Sequence, residues 1–152
     1  MTARNLMNPE LVTLRPTDTV ATAATHILKH HLRHLAVVDE QGRYLGTFGI
    51  YSLLQLALPK AVTMAEGLSD VSFITETAQD LATRLRERGA EQIGNWLSTD
   101  DPVAHPETPA MEVVLLMLRG HTSVPVVDKT SQRLEGMISS WNVVEKLLGE
   151  DC

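Results

Sequence analysis

The sequence predicts an α+β fold made of two β-α-β-β-α repeats packed sheet to sheet. Three observations carry that prediction. Shifted by about ninety residues, the chain answers itself: Asn5–Leu58 matches Asn95–Leu148 in the order of its features, Asn5 meeting Asn95, Pro16 meeting Pro106 and Leu28 meeting Leu118. Each half holds a continuous apolar stretch that ends in Asp and is followed by a polar turn and a second strand, the signature of an antiparallel hairpin. Each hairpin is flanked by segments whose apolar residues recur at helical spacing.

Taken in order, the first repeat opens with an extended stretch, Leu11–Leu14, ahead of Pro16. A helix follows, capped by Thr17 or Asp18, with Val20, Ala23, Ala24, Ile27 and Leu28 along one face. Leu35–Asp39 is the first hairpin strand, EQGR the turn and YLGTFGI the second strand. Ser52–Leu58 closes the unit as a helix. The second repeat restates this. Pro102–His105 is extended, Thr108 is an N-cap ahead of Pro109, and Val113, Val114, Met117 and Leu118 form a helix face. Val124–Asp128, KTSQ and LEGMIS form the hairpin, and Asn142–Leu148 the closing helix. A unit of about 55 residues buries too little surface to stand alone, so the two should share one core.

The repeats divide the chain into a first domain at 1–60, a linker at 61–90 and a second domain at 91–152. Within the linker, AVTMAEGLSDVSF reads as irregular and TAQDLATRLRERG as an amphipathic helix. Thr77 and Asp80 make a capping box, Leu81 and Leu85 share a face, Asp80 and Arg84 are spaced to pair, and Gly89 ends the helix. The reading preferred is a linker helix docked on the domain, over a control helix for a partner.

Composition narrows the function classes. Apolar residues make up 43% and charged residues 21%, as in an ordinary folded domain. A net charge of −6 argues against nucleic acid as a partner, since that calls for a basic face. The absence of a long apolar run or a signal segment predicts a cytoplasmic protein with no membrane partner. Cys152 is the single cysteine, so no internal disulfide or cysteine metal site forms. Nothing assembles a catalytic motif: there is no GxSxG, P-loop, HExxH or GxGxxG, and no enzyme is predicted. Asp39 and Asp128 each end a strand at a hairpin turn, where local hydrogen bonding favours Asp. Four histidines cluster as His26, His30, His31 and His34, and the first two have the i,i+4 spacing of metal ligands. They suit a helix C-terminus better, and no metal site is assigned. Trp96 and Trp141 are read as core or dimer-interface residues.

The two repeats resemble CBS domains. The resemblance rests on the lead-in segments ARNLMN and IGNWLS, the strands RHLAVVD and SVPVVD, and a G-h-x-[ST]-x-x-[ND] corner, where h is apolar. It covers all but the linker and the extreme tail. It implies a pair related by a pseudo-two-fold axis, further assembly as a homodimer, and no catalysis. It also implies an adenosyl ligand (AMP, ADP, ATP or S-adenosylmethionine) bound in a cleft between repeats and reported to a regulated protein, here unknown.

The two corners differ. GMISSWN fits throughout, with Gly136, Met137, Ser139 and Asn142; by the resemblance, Asn142 holds the ribose and Ser139 contacts ribose or phosphate. Ser139 is equally suited to capping the closing helix, and one hydroxyl can do both. GTFGIYS departs from the pattern. Thr47 stands at the apolar position, Gly49 at the hydroxyl and Ser52 at the Asn, so an adenosyl ligand there should be weak or absent. The expected walls of the Asn142 site are Ser123, Val124, Pro125 and Val126, with Val103 to His105. Arg133 and Arg15 are candidate phosphate contacts, set against their reading as solvated surface arginines. The rival function is a structural or dimerisation module whose pockets no longer bind.

Overall fold

A computed structural model describes residues 1–59 and 76–149. In chain order the elements are α1 (Ala3–Leu6), β1 (Thr13–Leu14), α2 (Val20–His30), β2 (His34–Val38), β3 (Tyr44–Gly49) and α3 (Ile50–Ala57). There follow α4 (Ala78–Glu87), a 3-10 turn (Ile93–Asn95), α5 (Ala110–Leu118), β4 (Ser123–Val127), β5 (Leu134–Ser139) and α6 (Ser140–Leu148). The chain is α+β, as its sequence predicts. In the first half β1 runs parallel to β2 and β2 antiparallel to β3. The second half repeats the hairpin, β4 with β5, and its extended stretch is reduced to one parallel bridge between Ala104 and Val126.

Both hairpins carry a bulge at the same place, between Val37 and Val38 and between Val126 and Val127. Asp39 and Asp128 then lock the turns. The Asp39 carboxylate accepts from the Gln41 and Arg43 N–H groups, each at 2.9 Å, and that of Asp128 accepts from Thr130 at 2.9 Å and Ser131 at 2.8 Å. Those donors hold both carboxyls below the usual carboxylate range, which assigns the acids to local turn chemistry.

The helix starts shift from those expected. Thr19, not Thr17 or Asp18, caps α2 by accepting from the Thr22 N–H at 3.2 Å. Asp18 instead closes the turn after β1, its carboxylate accepting from the Arg15 N–H at 2.8 Å. Pro109 is extended, with ψ at 142°, so α5 begins at Ala110, and the Thr108 hydroxyl accepts from His105 N–H. In both cases the polar residue two positions after the proline, Asp18 after Pro16 and Thr108 after Pro106, closes the turn that the proline begins.

The expectation of one shared core is corrected. The described residues form two cores, each on the helix side of its own sheet. The first gathers Leu14, Ile27, Leu35, Val37, Phe48 and Leu56 with Ile93; the second gathers Val113, Val124, Val126, Ile138 and Val143 with Ala3 and Leu6. Each core therefore takes its last members from the other repeat. The lead-in segments cross over. Asn8 pairs with Met137, and Ala3 and Ala110 N–H groups bond to Thr108 and Met1 carbonyls, while Ser98 pairs with Thr47 and Ile93 N–H bonds to the Asp18 carbonyl. The corner glycines make room for this crossing. A Cβ on Gly46, whose φ is +154°, would lie 2.6 Å from the Ser98 carbonyl oxygen, and one on Gly136 would lie 2.7 Å from Met7 Sδ.

The opposite sheet faces also bury residues outside both cores, Ala36, Val38 and Val127. The hairpins join at their turns, Tyr44 N–H to the Gln132 carbonyl at 2.9 Å and Leu134 N–H to that of Gly42 at 3.0 Å. Helix α4 starts in the expected Thr77–Asp80 capping box. Arg84 pairs with Glu76 rather than Asp80 and donates to the Ala57 carbonyl at 2.8 Å, docking α4 on the end of α3. Arg88 continues the contact, donating to the Leu56 carbonyl and lying 4.6 Å above the Trp96 ring. Gly89 does not take a left-handed cap; the helix ends at Arg88. The stretch AVTMAEGLSDVSF and Cys152 lie outside the described residues.

Candidate functional site

The residue pattern of GMISSWN produces a local lock at the end of β5. The Ser139 N–H donates to Asn142 Oδ1 at 3.2 Å, the Ser139 hydroxyl donates to the same oxygen at 2.8 Å, and the Asn142 N–H donates to Ser139 Oγ at 3.1 Å. This reciprocal box starts α6. It engages the carboxamide oxygen that a ribose diol would have used and leaves Asn142 Nδ2 as the outward donor of that side chain. GTFGIYS keeps half of the same device. The Gly49 N–H donates to Ser52 Oγ at 3.1 Å, so Ser52 starts α3 as Asn142 starts α6.

Ser123, Ser139 and Asn142 converge on one cleft of about 340 Å³, a size suited to a small molecule. Ser123 and Ser139 face each other as partners across β4 and β5. The remaining walls come largely from the first repeat: Leu11 and Val12 from the crossed lead-in, Leu32, His34, Leu35 and Ala36 from the start of β2, and Met137 from β5. Apolar surface from both repeats thus meets a small polar corner.

Several expected residues lie elsewhere. Val124 is fully buried in the second core, facing the helices, and Pro125 is buried opposite Met137 in the sheet. Val103 and His105 run beside the far end of β4, where His105 Nδ1 lies 2.8 Å from the Val127 carbonyl oxygen. Arg133 lines a shallow surface with Gln41, Arg43 and Ser131, and Arg15 another with Thr17, Asp39 and Arg43. Both arginines sit at the hairpin turns. The cleft is at the open end of the strands, and five strand steps from Leu134 to Ser139 separate the two by about 17 Å. Strand polarity was the available signal against Arg133. The crossing that brings Leu11 and Val12 to the cleft has no local signature.

The equivalent position to Leu11 beside the first corner is Asp101. Its carboxylate accepts from the Thr47 hydroxyl at 2.8 Å, and Thr47 is itself the counterpart of Met137 and only 2% exposed. An acidic, hydrogen-bonded pair therefore replaces two apolar walls. Burial pushes Tyr44 up to about 12, with Asp101 adding to it. Burial pushes His34 below its ordinary value, opposed by Asp101 and aided by Arg33. His34 Nε2 and Tyr44 Oη are buried without a hydrogen-bond partner among the described residues. His26 and His30 stack with centroids 6.4 Å apart and rings 7° from parallel. No group of three or more metal-ligating side chains occurs among the described residues.

A larger concavity, about 670 Å³, runs along α6 beside Trp141, Val144 and Leu148. Its described lining comes from α6 and Gly149 alone, with Ser140, Glu145 and Lys146 as its polar members. Among the described residues, no helix is long and apolar enough to cross a membrane.

The CBS domain family model matches residues 3–58 and 90–149. Among solved structures, CBSX2 in complex with AMP is 21% identical, with 99% of this chain and 98% of that one covered at a TM-score of 0.71. The CBS-pair protein CBSX2 from Arabidopsis thaliana gives 21% identity, 97% and 94% coverage and a TM-score of 0.74. The CBS domain pair of protein MJ0100, in complex with 5′-methylthioadenosine and S-adenosyl-L-methionine, gives 20% identity, 100% and 98% coverage and a TM-score of 0.64. At these identities the likeness is one of fold. A search of the curated proteins finds no match.

Proposed function

This chain belongs to the CBS domain family, and from that premise we propose that it is a non-catalytic regulatory module binding an adenosyl ligand in the Asn142 cleft. The observation that supports this most is the convergence of Ser123, Ser139 and Asn142 with apolar walls from both repeats. AMP in CBSX2, and 5′-methylthioadenosine and S-adenosylmethionine in the MJ0100 pair, make the adenosyl class the natural one to test. One ligand per chain is the proposed stoichiometry, because Asp101 and Thr47 replace the apolar walls at the first corner. Ligand state is relayed to a regulated protein in the cytoplasm.

The test is thermal unfolding with AMP, 5′-methylthioadenosine and S-adenosylmethionine. A ligand at a hundred times its Kd adds about 2.7 kcal/mol of stability. Val12→Trp, which fills the cleft from a position 38% exposed, should remove the shift without touching either core. No shift with any adenosyl compound at millimolar concentration sinks the proposal.

A second reading, assembly as a homodimer, has its own observation. The two repeats expose large apolar side chains at matching places: Leu28 with Leu118, Tyr51 with Trp141, and Leu54 with Val144, all more than half exposed. A second copy presenting the same faces would cover them self-complementarily. Sedimentation equilibrium should show a dimer that Trp141→Glu dissociates. A dimer indifferent to every adenosyl compound would favour a purely structural module.

A further inference from the structure

We propose that the Asn142 cleft selects adenosyl ligands whose 5′ substituent is neutral or positively charged, a thioether or a sulfonium, over nucleoside di- and triphosphates. The inference rests on the adenosyl reading of that cleft and adds its chemical selectivity.

A polyphosphate chain carries several negative charges and needs cations or free amide N–H groups where it lands. The cleft is poor in both. Among the described residues no lysine or arginine lines it, and the one carboxylate is Glu10. Glu10 is held at the cleft by its own turn, its N–H donating to Asn8 Oδ1 at 3.0 Å. The imidazoles of His30 and His34 also line the site. Burial favours the neutral form of His34. Arg33, next to His34 in the chain, is exposed and outside the lining, and Arg15 and Arg133 are at the far ends of the strands.

Most of the start of α6 is likewise taken, and Trp141, the remaining residue of its first turn, lies outside the cleft lining. The Ser139 N–H is given to Asn142 Oδ1, the Ser140 N–H to the Thr122 carbonyl at 3.0 Å, and the Asn142 N–H to Ser139 Oγ. What the corner keeps is Asn142 Nδ2, a donor suited to a ribose hydroxyl oxygen. Leu11, Val12 and Leu32 offer apolar surface for a methylthio group, and Glu10 a countercharge for a sulfonium or ammonium.

Isothermal titration of the full chain with 5′-methylthioadenosine, S-adenosylmethionine, AMP and ATP tests this. The expected result is that the thioether and sulfonium ligands bind about tenfold or more tightly than ATP. Glu10→Lys, at an exposed position, should narrow that ratio several-fold, because it exchanges the lining's carboxylate for an ammonium. ATP binding as tightly as 5′-methylthioadenosine overturns the selectivity while leaving the adenosyl function standing. A ratio unmoved by Glu10→Lys overturns the electrostatic argument. Binding by none of the four overturns both the selectivity and the function it rests on.

Discussion

Replacing Leu6 by alanine should destabilise the second repeat, although Leu6 belongs to the first. Its side chain is 0% exposed and packs with Val113, Val124, Val126, Ile138 and Val143 across the crossing of the lead-in segment. Leu→Ala removes about three methylene equivalents at about 0.8 kcal/mol each. The cavity left by incomplete collapse brings the whole effect to about 3–5 kcal/mol. In a chain of 152 residues each kcal/mol lowers Tm by about 2–4 °C, so a fall of roughly 6–20 °C is expected. Urea unfolding measures the total, and amide hydrogen exchange locates it. Protection should fall first in β4 and β5, while β2 and β3 keep theirs. The mirror variant, Ile93→Ala, should loosen the first repeat instead, since Ile93 is fully buried among Leu14, Ile27 and Phe48. A loss below about 1 kcal/mol, or protection lost first in β2 and β3 of Leu6→Ala, would refute the crossed assignment of the cores.

Two further outcomes follow from the same geometry. His34 is held below its ordinary pKa of 6.5 chiefly by burial, so the unfolded chain binds its proton more readily than the folded one. The stability it contributes is present above 6.5 and is lost as pH falls through the lower folded value; the urea midpoint should drop more steeply on acidification in the native chain than in His34→Gln. Equal slopes would show that His34 is not the titrating group. Gly49→Ala should cost more than Gly136→Ala in the same denaturation assay. A Cβ on Gly49 would meet the Arg33 carbonyl oxygen at 2.2 Å and His34 Cα at 2.8 Å, both backbone atoms, whereas Gly136 faces chiefly the movable thioether of Met7. Overpacking of this kind costs about 1–3 kcal/mol, with Gly49 at the upper end, and the reverse order would contradict the packing described.

Much of the fold was legible because its determinants are local. Continuous apolar strands ending in Asp39 and Asp128 announced the hairpins, since a side-chain oxygen two residues ahead of a free N–H closes a turn wherever it occurs. The helices were legible in their faces, and α4 and α6 in their caps, but the start of α2 was not, because Thr17, Asp18 and Thr19 compete for the same cap and only the path around Pro16 chooses among them. The candidate site was legible in one corner. Ser139 and Asn142 meet in the cleft, while Arg133 and Arg15, chosen for charge alone, lie at the wrong end of the strands.

By itself the sequence determined the repeat, the element types and the asymmetry between GMISSWN and GTFGIYS, all properties of residues close together in the chain. The tertiary structure alone decided which repeat completes which core and which side chains wall the cleft. The lead-in segments exchange partners because Gly46 and Gly136 leave backbone-sized gaps that only a strand from the other repeat fills, and a pairing between residues more than a hundred positions apart, such as Asn8 with Met137, leaves no mark on the sequence near either one.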